Sequence, residues 1–254
     1  ANNVANINTI GYKSQQASFK SLLYQNLQST STNNAGENKP VAAEVGLGSR
    51  VAAITSTFTQ GNLTHVENPF SVALEGDGFF QIRTESGELQ YTRDGSFEIS
   101  PVANGNMLCT SDGNPVLDAY GNAIVLPSNR VATDLVVNQD GTLAFPDGSG
   151  NPAVLTDANG RPVKFGIYQF NNPAGLAKEG SNNYSVTVAS GAAVAENGNA
   201  AVKQTKTHQY YTEASNVDVA NEMVNLIVAQ RAYEMNSKAI QASDEMMQQA
   251  NALR

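Results

Sequence analysis

Any metal or acid–base chemistry in this 254-residue chain has to be built from two histidines, one cysteine and 23 acidic side chains. His65 and His208 lie far apart in sequence, and neither stands at ligand spacing from another His or a Cys. That pattern argues against a zinc site, and each reads as a surface or turn residue. Cys109 falls inside the apolar run Met107-Leu108-Cys109 and reads as a buried, inert thiol. The Gly-x-Ser-x-Gly turn of a hydrolase nucleophile does not occur. Gly76-Asp77-Gly78 begins like a dinucleotide fingerprint but lacks the third glycine and the helix behind it, so it reads as a hairpin turn. Asp112-Gly113-Asn114 fails the spacing of a calcium loop. A carboxylate pair of the glycosidase kind could be assembled from so many acids, but no spacing nominates one. The sequence therefore assigns no catalytic, cofactor-binding or metal-ligating residue, and it predicts a protein that is not an enzyme, with no cofactor and no small-molecule substrate.

Length and composition bound the rest. The chain suits one large domain or two small ones. It is 41% hydrophobic and 15% charged, with 21 glycines and a net charge of −8. Nucleic-acid binding needs a basic face, so a nucleic-acid partner is not expected. No apolar run is long enough to cross a bilayer, and no cleavable signal is visible. With one cysteine, no intrachain disulfide can form.

Most of the chain reads as short strands separated by turns. Asp-Gly, Asn-Gly or Gly-Asn pairs recur ahead of apolar or alternating runs, as in Glu75–Ile82, Arg93–Ser100, Ser111–Leu117, Asp118–Leu126, Asn138–Phe145 and Asp157–Phe170. Such pairs supply the positive φ of tight hairpins. Strands are predicted at 71–74, 79–83, 88–92, 96–99, 107–110, 123–126, 135–138, 142–145, 164–170 and 184–187, an antiparallel all-β pattern. Gly78 and Gly95 are the turn residues singled out. Before this zone, Ala1–Asn8 reads as a short helix stopped at Gly11, which suits a left-handed cap. Phe19, Leu22, Leu23 and Leu27 then recur at helical spacing. Gln28–Pro40 is polar and reads as a linker.

The C-terminal stretch from Val219 to Leu253 holds no Gly or Pro and predicts one helix of roughly 50 Å. Ser215, Asn216 and Asp218 offer caps. Val219, Leu226, Tyr233, Ile240 and Met247 recur every seven residues, a spacing that favours a left-handed supercoil. Met223 is the one large apolar residue among the positions four further on. A second stripe runs through Val228, Ala232, Met235, Ala239, Ala242, Met246 and Leu253, about 200° around the helix from the first. One mate covers one stripe only. Either the β domain and an N-terminal helix share the two stripes within one chain, or other copies of the protein cover them.

Three stretches carry a family resemblance. Ala1–Lys13 (ANNVANINTIGYK) resembles the N-terminal signature of the flagellar rod, hook and hook-associated family of axial proteins. Glu75–Ile99 (EGDGFFQI followed by YTRDGSFEI) is similar to its β-domain segment, and Ser215–Gln249 to its C-terminal helix. Phe19–Gln25, Gln60–Leu63 and Gln230–Ile240 look most like the distal-rod branch, with the short hook branch and the proximal-rod branch as alternatives and a secreted β-domain binding module ranked below them. The resemblance implies an α+β fold in which long N- and C-terminal helices pair as a coiled-coil-like inner domain outside which a central antiparallel β domain sits. It implies residues 1–27 as the N-terminal helical segment, 28–60 as an extended connector, 61–205 as the β domain and 206–254 as the helix packing on 1–27. The connector's length and packing would decide between a stiff shaft and a bending joint. The chain starts inside the family's N-terminal pattern, so impaired polymerisation is expected. The implied role is a subunit of a helical tube that transmits torque, exported without a cleavable leader into the periplasmic part of the basal body. Its implied partners are copies of itself, other rod subunits, the hook and the surrounding ring proteins. The assembly residues expected are Val219, Met223, Leu226, Val228, Tyr233, Met235, Ile240, Met246 and Met247, with Asn2, Asn3 and Asn6.

Overall fold

A computed structural model describes residues 1–28, 43–103, 105–147, 152–157, 159–199 and 202–252. It divides into two units, Gln15–Thr57 and the remainder, Ala1–Ser14 with Phe58–Arg254. The predicted linker at Gln28–Pro40 lies almost wholly outside the described residues, and Leu253 lies outside them too.

The smaller unit is built of two-stranded antiparallel ribbons. Strand β1 (Gln15–Ser21) and strand β2 (Tyr24–Gln28) follow each other, then β3 (Ala43–Gly46) and β4 (Ser49–Ser56). β1 pairs with β4 from Gln15↔Ser56 to Ser21↔Ser49, with a register shift between Ser18 and Phe19. β2 pairs with β3. This overturns the expected helix over residues 19–27. Apolar spacing in so short a run cannot separate helix from strand. The sequence of β4, with Val51, Ile54 and Thr55, has strong β character and supplies an antiparallel mate. Pairing across the ribbon wins over local periodicity.

The larger unit begins with helix α1 (Asn2–Ala5), a single turn. Among the described residues sixteen strands follow: β5 (Leu63–His65), β6 (Val72–Glu75), β7 (Phe79–Arg83), β8 (Leu89–Thr92), β9 (Glu98–Val102), β10 (Gly105–Cys109), β11 (Val125–Pro127), β12 (Val136–Val137), β13 (Leu143–Pro146), β14 (Pro152–Val154), β15 (Ile167–Gln169), β16 (Ala177–Gly180), β17 (Asn183–Ser185), β18 (Val194–Ala195), β19 (Lys206–Gln209) and β20 (Tyr211–Glu213). Every pairing is antiparallel. The largest sheet has the order β16-β17-β8-β7-β15-β18, and two three-stranded sheets have the orders β11-β10-β9 and β12-β13-β14.

Strand β7 shows why the domain closes. Side chains alternate between the two faces of a strand. Phe80 and Ile82 enter one core with Phe97, Leu108, Val116, Leu143 and Phe165, while Phe79 enters a second with Tyr91, Phe170 and Tyr184. Phe80 meets Phe97 and Phe165 edge to face, at 5.0 and 5.4 Å between ring centroids. Cys109 is buried at the edge of the first core, with Sγ 3.5 Å from the Glu98 carbonyl, and burial pushes its thiol pKa up. Gly95 and Gly78 need their missing side chains for space. A Cβ on Gly95 would run into the Val72 carbonyl, and one on Gly78 into Ile167 and Thr205.

Helix α2 (Val219–Ala252) closes the chain. Asp218 caps it, its Oδ1 accepting from Ala220 N–H at 2.9 Å. The expected α+β fold with paired terminal helices is overturned. The chain is mostly β, α1 is one turn and α2 is the single long helix among the described residues. Of the residues 1–27 expected to cover α2, those from Gln15 onward form β1 and β2 instead.

Candidate functional site

The chemistry-bearing side chains are scattered or engaged in packing. His65 stacks on Tyr210 and meets the edge of Tyr211. His208 Nε2 lies 2.7 Å from Glu75 Oε2 at the surface, and the His208 hydrogen bond holds the Glu75 carboxyl below its usual range. No group of three potential metal ligands converges among the described residues.

The surface that calls for an occupant is α2. Its apolar residues lie on opposite flanks, yet none of its described residues is buried. Val219, Met223, Leu226, Val228, Tyr233, Met235, Ile240, Met246 and Met247 are all exposed, Tyr233 to 77%. The first stripe drifts by about 20° per heptad around a straight helix. The second keeps nearly one bearing from Val228 to Met246, with Ala232, Ala239 and Ala242 between them, so a neighbouring backbone can come close. An apolar side chain of this size yields about 1.5–3 kcal/mol when fully buried. Here that gain is left unused. The smaller unit repeats the theme, exposing Phe19, Leu23, Tyr24, Leu47, Val51 and Ile54. Lys20, Leu22, Leu23, Tyr24, Leu47 and Arg50 line a hollow in it of about 580 Å³.

The root of α2 contrasts with its shaft. Lys13 Nζ donates to Glu213 Oε1 at 2.6 Å and to the Thr59 carbonyl at 2.8 Å. Gly61 N–H donates to the same Glu213 oxygen at 2.8 Å. Arg93 Nη1 lies 3.7 Å from Glu213 Oε2, its Nη2 donates to the Gly76 carbonyl at 2.6 Å, and its guanidinium stands 5.3 Å from the centre of the Phe79 ring. All three charged side chains are excluded from solvent. Burial lowers the pKa values of both Lys13 and Arg93, with the Glu213 carboxylate opposing that shift in each case. Neither Arg93 Nε nor Nη1 finds a hydrogen-bond acceptor among the described residues.

The N-terminal residues frame this cluster. Gly11 holds φ +69°, donates its N–H to the Glu213 carbonyl at 2.8 Å and lies against the Arg93 and Asp94 backbone. Asn3 is buried, accepts from the Tyr12 hydroxyl at 3.2 Å and donates to Glu222 Oε1 at 2.7 Å, in the first turn of α2. Burial first, and Glu222 second, raise the Tyr12 pKa. Asn6 Nδ2 donates to Asn2 Oδ1 at 2.7 Å, and Asn2 remains exposed. Sequence reasoning missed Lys13, Arg93 and Glu213. Charged residues read as surface, and nothing in their spacing brings them together.

Comparison with known proteins bears on what this helix is for. The family described as "Flagellar basal body rod FlgEFG protein C-terminal" matches residues 208–253, taking in α2, and "Flagellar hook protein FlgE/F/G D1 domain" matches residues 73–145. The chain is similar over its whole length to the flagellar basal-body rod protein FlgG of Borreliella burgdorferi, at 38% identity and covering 91% of that protein. The protein of the same name in Agrobacterium fabrum is 39% identical over 97% of the chain and 88% of its own length. That of Bacillus subtilis is 34% identical over 98% and 89%. The exposed helix, the β domain and the match along the full chain agree: this chain belongs to the flagellar basal-body rod protein family.

Proposed function

We propose that the protein is a structural subunit of the distal rod, which polymerises with copies of itself into a straight helical tube and passes motor torque to the hook. The observation that carries this reading is α2: 34 residues, apolar on opposite flanks and without a buried side chain. A helix apolar on opposite flanks is stable in water only when something covers it. A helical assembly does so repeatedly, because each copy presents the same non-closing surface to several neighbours. In this reading Val219, Met223, Leu226, Tyr233, Ile240 and Met247 pack on one set of neighbours. Val228, Met235 and Met246 pack on another, and Asn2 and Asn6 edge the contact near the helix root. Asn3 acts from inside, by holding Glu222.

The role is mechanical and not enzymatic. Other rod subunits and the hook abut the tube axially, ring proteins surround it, and it lies in the periplasmic part of the basal body after passage through the flagellar export channel. Electron microscopy of the concentrated protein tests the reading. Straight tubes or short straight filaments support it, curved tubes favour the hook alternative, and a compact monomer with glycan affinity contradicts it.

A further inference from the structure

Glu213 ends β20, just ahead of α2, and its carboxylate gathers three other stretches of chain. Oε1 takes Lys13 from the N-terminal segment and the Gly61 N–H, Oε2 faces Arg93 from the end of β8, and Lys13 reaches on to the Thr59 carbonyl. The Glu213 main-chain carbonyl takes the Gly11 N–H. Asn216 repeats the pattern nearer the helix, accepting from Ser14 N–H at 2.7 Å and donating to Thr59 Oγ1 at 2.8 Å. Two cations and one anion without solvent are costly, and apolar replacements of such groups are often as stable or more so. Stability alone does not account for them. What directional, charge-assisted bonds supply and apolar contact lacks is a fixed geometry. The stretch of chain between Glu213 and α2 needs that, since α2 itself makes almost no lateral contact with the domain.

We propose that Lys13, Arg93 and Glu213 form a rigid joint that sets the angle of α2 on the β domain, and that they act as positioning residues for assembly. The proposal rests on the rod reading only for its consequence, that a helix held at one angle enters a regular tube. The joint itself is a property of the single chain.

The test uses the full chain with spin labels at Gln241 on α2 and Glu85 on the β domain, both exposed. The wild type should give a narrow distance distribution and E213Q a broad one, with loss of regular tubes. The triple variant K13M/R93M/E213Q removes every charge from the joint while keeping an acceptor for the Gly61 N–H. It should recover the thermal midpoint of the wild type and still show the broad distribution and the assembly loss. If E213Q fails to fold, the triple variant carries the test. A narrow distribution in the triple variant overturns the joint, as does recovery of both midpoint and regular tubes. If the wild type forms no tubes but the label distances respond as stated, the joint stands and the rod reading fails.

Discussion

Phe80 and Leu226 are both large apolar side chains in regular elements, yet Phe80 is fully buried and Leu226 is 36% exposed. The difference separates two uses of the hydrophobic effect in one chain. In the β domain, alternation along β7 sends Phe79 and Phe80 to opposite faces, and each finds aromatic partners a few ångströms away. The domain buries its aromatic core within itself. On α2 the apolar stripes run along a slender rod, and no element among the described residues covers them. On the proposed reading their stabilisation comes from contact with other molecules. In that reading the core folds by itself and the helix is completed by its partners.

The most forceful way to break this comparison is to cut the same amount of side chain from both regions. Phe97→Ala is expected to cost about 3–5 kcal/mol in denaturant unfolding, because it opens a cavity where Phe80 and Phe165 meet. Tyr233→Ala, on α2, should stay within about 0.5 kcal/mol. Equal costs would mean that α2 is packed inside the chain.

A second measurement uses alkali. Burial above all pushes the Tyr184 phenol up to about 12 from an ordinary 10.0. Its folded pKa is raised, so its contribution is fully present below pH 10 and is lost as pH rises towards about 12. A shift of that size corresponds to about 2–3 kcal/mol. Unfolding midpoints measured along a pH series should fall across that window, and Tyr184→Phe should flatten the fall. An unchanged slope in that variant would show that Tyr184 is not sealed in the core.

Gly11 sharpens the contrast at the helix root. It holds a left-handed φ and packs on the Arg93 backbone, so Gly11→Ala should cost about 1–2 kcal/mol in the same unfolding assay. A small effect on folding is also expected from Leu226→Ser combined with Ile240→Ser. It should shift monomer stability by under about 1 kcal/mol, and yet sedimentation should show assembly lost. Polymerisation at the wild-type concentration would remove the first stripe from the interface.

Parts of this architecture were legible from residue order. β7 occupies residues 79–83 as the alternation of Phe79-Phe80-Gln81-Ile82 indicated, and α2 runs from Val219 where its cap and unbroken periodicity placed it. Phe19, Leu22 and Leu23 mislead because their spacing fits a helix, while the strand that pairs with Phe19 sits at 49–56, beyond any local window, and Leu22 and Leu23 link β1 to β2. The paired-helix fold fell with them. Gly78 and Gly95 were legible as special positions but not for their cause, which is crowding by Ile167 and by the Val72 carbonyl. The Lys13–Glu213–Arg93 cluster was invisible because a charged side chain carries no mark of burial until the fold brings its counterion to it.

Amide hydrogen exchange, read residue by residue along α2 in the lone chain and again after assembly, is the most direct test of deferred burial. The expected result is fast exchange from Leu226 to Met247 in the single molecule, beside slow exchange in β7, with strong protection of the helix appearing only in the tube. Protection of α2 equal to that of β7 in the lone chain would contradict the account.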